Sequence, residues 1–103
     1  MENNIFEIQN CPIKKTLDII GGKWKLRIIF QIGPETKRYG ELKRLIPDIS
    51  EKMLIQELKS LVDYNIIHKK VYHEVPPKVE YTLTEKGLEV IPLIHKMIEF
   101  AEL

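Results

Sequence analysis

The sequence predicts a single domain that is mainly α-helical and contains a small β-hairpin. A chain of 103 residues fits one hydrophobic core, because domains commonly contain about 100 to 150 residues before the core divides. Hydrophobic residues make up 44% of the chain and charged residues 30%, which is typical of a packed globular protein. Apolar residues recur at helical spacing along most of the chain and alternate with polar residues only between positions 66 and 83. The hairpin is therefore expected after the central helices.

Two helices are expected in the first third of the chain. The first covers residues 12–20, since Pro12 is favoured in the first turn of a helix, where its missing N–H would have no partner. Gly21 and Gly22 end this helix, because adjacent glycines form helices poorly. The second helix begins near Lys23 and stops at Gly33, and apolar residues cover much of its circumference. A helix of this kind packs within a core.

A short helix, a tight turn and a longer helix are predicted next. The run GELKRLI carries apolar residues at helical spacing, and Pro47 ends that helix because the residue before a proline is driven out of the α region. Ser50 is the natural N-cap of the following helix. That helix carries a narrow leucine stripe that includes Leu54 and Leu61. A brief strand is also expected at positions 36–39, before the short helix.

The periodicity then changes to that of β-strands. Apolar and polar residues alternate at positions 67–72 and again at 79–83. Two prolines lie between these runs, so the pattern predicts a hairpin with a stiff tip. Thr84 is expected to cap a final helix over residues 84–103. The apolar stripe of this helix is too broad for a helix that packs on one small core, and Pro92 predicts a bend.

Charge is distributed unevenly along the chain, although the net charge is only +1. Residues 23–44 contain seven basic and two acidic residues and carry +5, whereas residues 84–103 contain two basic and four acidic residues and carry −2. A local excess of positive charge is typical of a surface that meets nucleic acid. The alternative is that these basic residues only solvate helix faces, as most charged runs do.

The order of the elements is that of a winged helix-turn-helix module, in which the second helix of the central pair enters the major groove of DNA. Glutamine can pair with adenine, lysine can donate to guanine or phosphate, and methionine can contact a thymine methyl group. The residues expected near base edges are Ser50, Lys52, Met53 and Gln56. The residues expected nearer phosphates are Arg38, Lys59, Lys69, Lys70, His73 and Lys78. The alternatives are an ordinary solvated helix face and a hairpin edge that lysines protect from strand pairing.

Three runs of the sequence carry a family resemblance. They are CPIKKTLDIIGGKWKLRIIF, RYGELKRLIPDISEKMLIQELKSL and VYHEVPPKVEYTLTEKG. In this order and spacing they closely resemble the HxlR-type family of bacterial winged helix-turn-helix regulators, which are relatives of the MarR group. The match extends from Cys11 to about Gly87. The resemblance implies a homodimer, joined through its first and last helices, whose paired recognition helices read a pseudo-palindromic site in double-stranded promoter DNA.

The implied dimer gives the broad apolar stripe of the final helix a partner surface. The residues of this helix expected at the interface are Ile91, Ile94, Ile98 and Phe100. Residues 1–10 are interpreted as an N-terminal arm, and the arm residues that would extend the interface are Ile5, Phe6 and Ile8. A dimer also doubles the basic surface offered to DNA, which helps a chain with little net charge.

Cys11 is the one cysteine of the chain, so an intramolecular disulfide is excluded. It precedes Pro12 and is expected at the N-cap of the first helix, where the helix dipole together with Lys14 and Lys15 favours a thiolate. Its position matches that of a cysteine that some members of the resembled family use to sense oxidants or electrophiles. Oxidant sensing is therefore one hypothesis. The other is a small buried residue at a helix start, because cysteine is among the most buried residue types.

The sequence contains no recognisable catalytic or metal-binding arrangement, so we expect neither an enzyme nor a cofactor. His68 and His73 are five residues apart on a predicted strand and hence on opposite faces, and His95 stands alone on the final helix. No run of about 18 apolar residues and no signal peptide is visible, so a cytoplasmic protein without a membrane partner is expected. The competing functional class is a winged-helix adaptor that binds protein instead of DNA. No small-molecule effector is indicated.

Overall fold

The structure, a computed structural model, describes residues 11–103, which form six helices and a three-stranded sheet. The helices are α1 (Pro12–Ile20), α2 (Lys25–Ile32), α3 (Tyr39–Leu45), α4 (Glu51–Asp63), α5 (Glu85–Leu88) and α6 (Val90–Ala101). The strands are β1 (Lys37–Arg38), β2 (Ile67–Tyr72) and β3 (Lys78–Leu83). The predicted fold class, a mainly α winged helix-turn-helix, is confirmed. We call the sheet with its β2–β3 loop the wing.

Glycines separate the first helices. Gly22 and Gly33 have φ values of 93° and 57°, conformations that residues with a Cβ rarely adopt. The N–H of Gly21 donates to the carbonyl oxygen of Leu17 at 2.8 Å and closes α1. The second helix begins at Lys25, slightly later than the sequence suggested, because a bend follows Gly22.

The helix-turn-helix consists of α3, a tight turn and α4. Ile46 and Ile49 are each 1% exposed and anchor the turn in the core. Ser50 Oγ accepts a hydrogen bond from the backbone N–H of Met53 at 3.1 Å, so it caps α4 as predicted. Just after α4, Asn65 has a φ of 62°, a left-handed conformation that asparagine tolerates better than most residues. Both ends of α4 are therefore fixed by local structure.

The wing contains three antiparallel strands in the order β1–β3–β2 rather than an isolated hairpin. Strand β1 pairs with β3, with Lys37 opposite Tyr81 and Arg38 opposite Glu80. The sequence predicted the brief strand but not its partner, because two residues carry no periodicity and the partner is distant in the chain. Since α3 begins at the next residue, Tyr39, β1 ties the wing directly to the helix-turn-helix.

The hydrophobic core is formed mainly by α2, α4 and the strands that face them. Ile28, Ile29 and Ile32 of α2 and Leu54 and Leu61 of α4 are completely buried. Burial of such a side chain contributes about 1.5 to 3 kcal/mol to stability. The leucine stripe is therefore the packed side of α4, and the opposite side of this helix faces solvent.

The predicted final helix is divided at Glu89 into α5 and α6. Thr84 Oγ accepts a hydrogen bond from the N–H of Gly87 at 3.0 Å, so the predicted cap serves α5. A Cβ at Gly87 would collide with the carbonyl oxygen of Ile66, which shows how closely α5 packs on the entry to β2. The interruption of the helix lies at Glu89, just before Pro92, and Pro92 itself occupies the first turn of α6, where its missing N–H costs nothing.

Candidate nucleic-acid interface

Helix α4 presents a polar face to solvent. Lys52, Gln56 and Lys59 are exposed, and their spacing places them along one side of the helix. Ser50 is also exposed, and its hydroxyl retains a donor while its oxygen caps the helix. Met53 is half-buried and packs against the core, so it has the least free surface of the residues predicted near base edges. We call Ser50, Lys52, Gln56 and Lys59 the polar face of α4.

Ile55 is a candidate contact that the sequence reasoning missed. Its side chain is 57% exposed, and helical spacing places it beside Lys52 and Lys59. An exposed isoleucine at this position suits contact with a thymine methyl group. The signal was present in the sequence, because Ile55 is an apolar residue at helical spacing from Lys52 and Lys59.

Two ion pairs hold the helix-turn-helix against α2. Lys25 Nζ donates to Glu57 Oε1 on α4 at 3.1 Å, and both side chains are largely buried. Arg27 donates two hydrogen bonds, at 3.0 and 2.9 Å, to the carboxylate of Asp48 in the turn. These bonds hold the pKa of Asp48 below its ordinary value. One helix, α2, thus positions both the turn and α4.

The basic segment at residues 23–44 offers less free positive charge than its composition suggested. Lys37 Nζ lies 2.9 Å from Glu35 Oε1. In α2, Lys25 is paired with Glu57 and Arg27 with Asp48. Among the residues that the structure describes, three of the seven basic residues of this segment are therefore seen in ion pairs. Arg38, by contrast, is exposed on strand β1.

Lys59 and Lys69 line one groove between α4 and the sheet. The groove has a volume of about 340 Å³, and Ile55 and Tyr81 contribute to its apolar wall. Lys59 Nζ lies 3.3 Å from Asp63 in an exposed pair, which contributes little to stability. The inner face of the sheet, which faces α4, therefore carries one of the predicted wing lysines next to a lysine of the polar face.

Two other predicted wing lysines lie on the outer face of the sheet. Successive residues of a strand point to opposite sides, so Lys70 faces away from α4 when Lys69 faces towards it. Lys78 shares the outer face with Lys70, as the pairing of β2 with β3 requires. Arg38 is paired opposite Glu80 and belongs to the same face. The wing cations thus form an inner and an outer group.

Helices α1, α2 and α6 carry an apolar surface with two adjoining grooves of about 400 and 380 Å³, which share Leu26 and Met97. Ile13 and Leu17 of α1 line the second groove and are 56% and 60% exposed. The family resemblance predicted that the first helix forms part of a dimer interface, but it singled out neither Ile13 nor Leu17. Exposed apolar patches of this kind are typical of protein–protein contacts and of ligand-binding grooves. We call this surface the apolar face.

The residues predicted for the dimer interface differ in exposure. Ile98 and Phe100 are 41% and 74% exposed, and Ile91 is half-buried. Ile94 was expected at the surface but is only 6% exposed, because it lies on the side of α6 that closes the core of its own subunit. The predicted arm residues lie outside the described residues; they are Ile5, Phe6 and Ile8.

Cys11 occupies the N-cap position of α1, as predicted, and is partly exposed. Its carbonyl oxygen accepts the N–H of Lys15 at 2.9 Å. Lys14 Nζ is directed to Asp18, at 2.9 Å, and this hydrogen bond raises the pKa of Lys14. Pro12, the next residue, lines a groove of the apolar face. Cys11 therefore lies where that face begins.

The described residues contain no cluster of three or more His, Cys, Asp or Glu side chains that could hold a metal ion. His68 and His73 are exposed, on the outer sheet face and in the loop after β2. His95 contacts Phe30 edge-on, with ring centroids 6.5 Å apart. Within residues 11–103, the helices are too short or too polar to cross a membrane.

Known proteins are similar to this chain in sequence and in fold. The HxlR-like helix-turn-helix family matches residues 19–103. MalR of Fusobacterium mortiferum, a protein described as regulatory, is 52% identical over 90 residues, or 84% of this chain and 85% of MalR. A crystal structure described as a MarR-family regulator from Porphyromonas gingivalis W83 is 54% identical with a TM-score of 0.88, over 92% of this chain and 93% of that chain. The redox regulator HypR in its oxidised form is 44% identical with a TM-score of 0.83, over 89% of this chain and 95% of its own.

These similarities cover the helix-turn-helix, the wing and α6, because the matched region begins within α1 and runs to the end of the chain. They confirm the resemblance first recognised in the three sequence runs. The relatives are described as regulators, which is not an enzyme class. The chain belongs to the HxlR-like helix-turn-helix family of transcriptional regulators.

Proposed function

We propose that this chain is a cytoplasmic, homodimeric transcriptional regulator that reads a pseudo-palindromic site in double-stranded promoter DNA. The observation that carries the proposal is the polar face of α4 on a helix that is capped by Ser50 and tied to α2 by the Lys25–Glu57 pair at 3.1 Å. A helix held in this way presents side chains to base edges with little further loss of conformational entropy.

In this proposal Ser50, Lys52 and Gln56 of the polar face of α4 supply base contacts, whereas Lys59 of the same face binds phosphate. Gln56 pairs bidentately with adenine, and Lys52 donates to guanine or to a phosphate. Ser50, Met53 and Ile55 complete the surface that meets the major groove. The cations that bind phosphates without reading sequence are Arg38, Lys59, Lys69, Lys70, His73 and Lys78.

A second copy of the chain covers the apolar face in this proposal. The exposed Ile13, Leu17, Ile98 and Phe100 suit burial against the same surface of a partner. A two-fold axis then presents two α4 helices to successive major grooves, about 34 Å apart. The dimer also doubles the number of phosphate contacts. The residues proposed to extend the interface are Ile5, Phe6, Ile8 and Ile91.

The test is binding of the purified protein to the promoter DNA that flanks its own coding region, measured against scrambled DNA of equal length. We expect a dimer that prefers the promoter by at least about 1,000-fold, with an affinity that falls steeply as salt increases. A dimer that binds both DNAs equally would contradict the proposal and favour the adaptor that binds protein.

We further propose that oxidation of Cys11 changes the DNA affinity. The thiol is partly exposed at the N-terminus of α1, where a dissolved oxidant can reach it. The similar HypR is named as a redox regulator. Because α1 contributes to the apolar face, a modified Cys11 acts at the surface where the second subunit is proposed to bind. The alternative role is that of a packing residue.

A thiol oxidant should change the affinity of the wild-type protein for promoter DNA, and a reductant should restore it. The Cys11→Ser variant should bind DNA like the reduced wild type and should not respond to the oxidant. Fluorescence anisotropy with labelled promoter DNA measures both. An oxidant response that persists in the serine variant would remove Cys11 as the sensor and leave the packing role.

A further inference from the structure

Four side chains near the tip of the wing form a polar cluster. The Tyr72 hydroxyl donates to Glu80 Oε1 at 2.9 Å. Lys78 Nζ lies 3.7 Å from Glu80 Oε2 and 4.3 Å from the centre of the Tyr72 ring, and Lys70 Nζ lies 4.9 Å from the same centre. The side chains of Glu80 and Lys78 are only 22% and 24% exposed. We call Lys70, Tyr72, Lys78 and Glu80 the wing cluster.

The strand register places Glu80 at the centre of the outer sheet face. It belongs to the middle strand, opposite Lys70 in β2 and Arg38 in β1. Cross-strand pairs of opposite charge are favourable on one face of a sheet. The cations of this face that are proposed to bind phosphates therefore surround a single carboxylate.

A carboxylate at this position conflicts with simple attraction to DNA, because every anion on a phosphate-binding surface opposes binding. Free lysine side chains, however, have many rotamers, and ordering them on binding costs entropy. The Tyr72 ring attracts the ammonium groups of Lys70 and Lys78, and Glu80 holds the hydroxyl of that ring. Glu80 thus restricts two lysines before DNA arrives.

We propose, on the basis of the DNA binding proposed above, that Glu80 is a positioning residue for the wing. It fixes Tyr72 and, through the tyrosine ring, directs Lys70 and Lys78 towards the DNA backbone. Glu80 itself does not touch DNA. Removal of its negative charge therefore weakens DNA binding, which is the opposite of the effect that charge alone predicts.

Three variants separate geometry from charge. Glu80→Asp keeps the charge and shortens the side chain, and Tyr72→Phe keeps the ring and removes the hydrogen bond. Each should weaken binding to promoter DNA roughly three- to tenfold, the effect of one lost hydrogen bond. Glu80→Ala adds one unit of positive charge and should nevertheless weaken binding by a similar factor. The matched control is Glu74→Ala, which makes the same charge change at an exposed residue of the wing loop and should strengthen binding slightly.

The salt dependence gives a readout that loss of stability would not change. Loss of one ordered phosphate contact lowers the slope of log Kd against log salt by about 1, so Glu80→Ala and Tyr72→Phe should both lower it. In a Lys70→Ala/Lys78→Ala background, Glu80→Ala should cause no further weakening, because the lysines it positions are gone. All variants are compared at a temperature at which circular dichroism shows each to be folded.

Two results would overturn the inference while leaving the proposed function intact. One is that Glu80→Ala strengthens binding as Glu74→Ala does. The other is that Glu80→Asp and Tyr72→Phe bind like the wild type, in which case Glu80 is only a surface charge. A wild-type protein that shows no preference for promoter DNA refutes the proposed function itself, and the inference with it.

Discussion

Helix α4 and the wing both carry candidate DNA contacts, but the molecule fixes them in different ways. Helix α4 buries its leucine stripe and is tied to α2 by the Lys25–Glu57 pair. The outer face of the wing depends on strand pairing and on polar contacts around Glu80. Burial leaves a periodic signal in the sequence, whereas polar pairing across strands leaves none. The contacts of α4 are therefore easier to predict than those of the wing.

The largest expected effect concerns the burial that holds α4. Leu61→Ala should lower the free energy of unfolding by about 2 to 5 kcal/mol, because this fully buried side chain leaves a cavity. Val71→Ala in β2 should cost less than about 1 kcal/mol, since Val71 is 44% exposed. Urea unfolding followed by circular dichroism measures both. Equal losses would show that the wing is fixed by burial to the same extent as α4.

The next effect concerns the ion pair beneath α4. Lys25→Met should cost about 1 to 3 kcal/mol of stability, because it leaves the largely buried Glu57 without a partner. Lys14→Met is the matched control and should leave stability almost unchanged, since its pair with Asp18 is exposed. The double variant Lys25→Met/Glu57→Leu should recover much of the loss in the same urea assay. A double variant as unstable as the single one would argue against an unpaired charge as the cause.

A third measurement compares the two regions in DNA binding. Gln56→Ala should weaken binding to promoter DNA by about 1 to 3 kcal/mol and leave binding to scrambled DNA unchanged, as expected for a bidentate base contact. Lys69→Ala should weaken binding to both DNAs and lower the salt slope by about 1. Fluorescence anisotropy with both DNAs over a range of salt concentrations distinguishes the effects of the two variants. An equal loss on both DNAs for Gln56→Ala would exclude it as a base contact.

The smallest effect concerns the turn before α4. The hydrogen bonds from Arg27 lower the pKa of Asp48 in the folded protein, so the pair stabilises the fold above about pH 4, the ordinary range of an aspartate. This contribution is lost as the pH falls through the lowered value. Asp48→Asn should therefore make thermal stability less sensitive to acid below about pH 4, by a small amount because the pair is exposed. Melting curves that respond identically to pH in both proteins would contradict the role of this pair.

The sequence by itself determined the order of the elements, the caps at Ser50 and Thr84 and the polar face of α4. These features depend on neighbours within one or two turns of the chain, and their residue types and spacing report them directly. The three runs that resemble the HxlR-type family added the function class, and the family match to residues 19–103 confirms it.

Only the tertiary structure decided which side chains meet across the fold. It paired β1 with β3, joined Lys25 to Glu57, buried Ile94 and gathered the wing cluster around Glu80. The physical reason is that such contacts depend on the relative position of elements distant in the chain, whereas periodicity records only which side of one element avoids water.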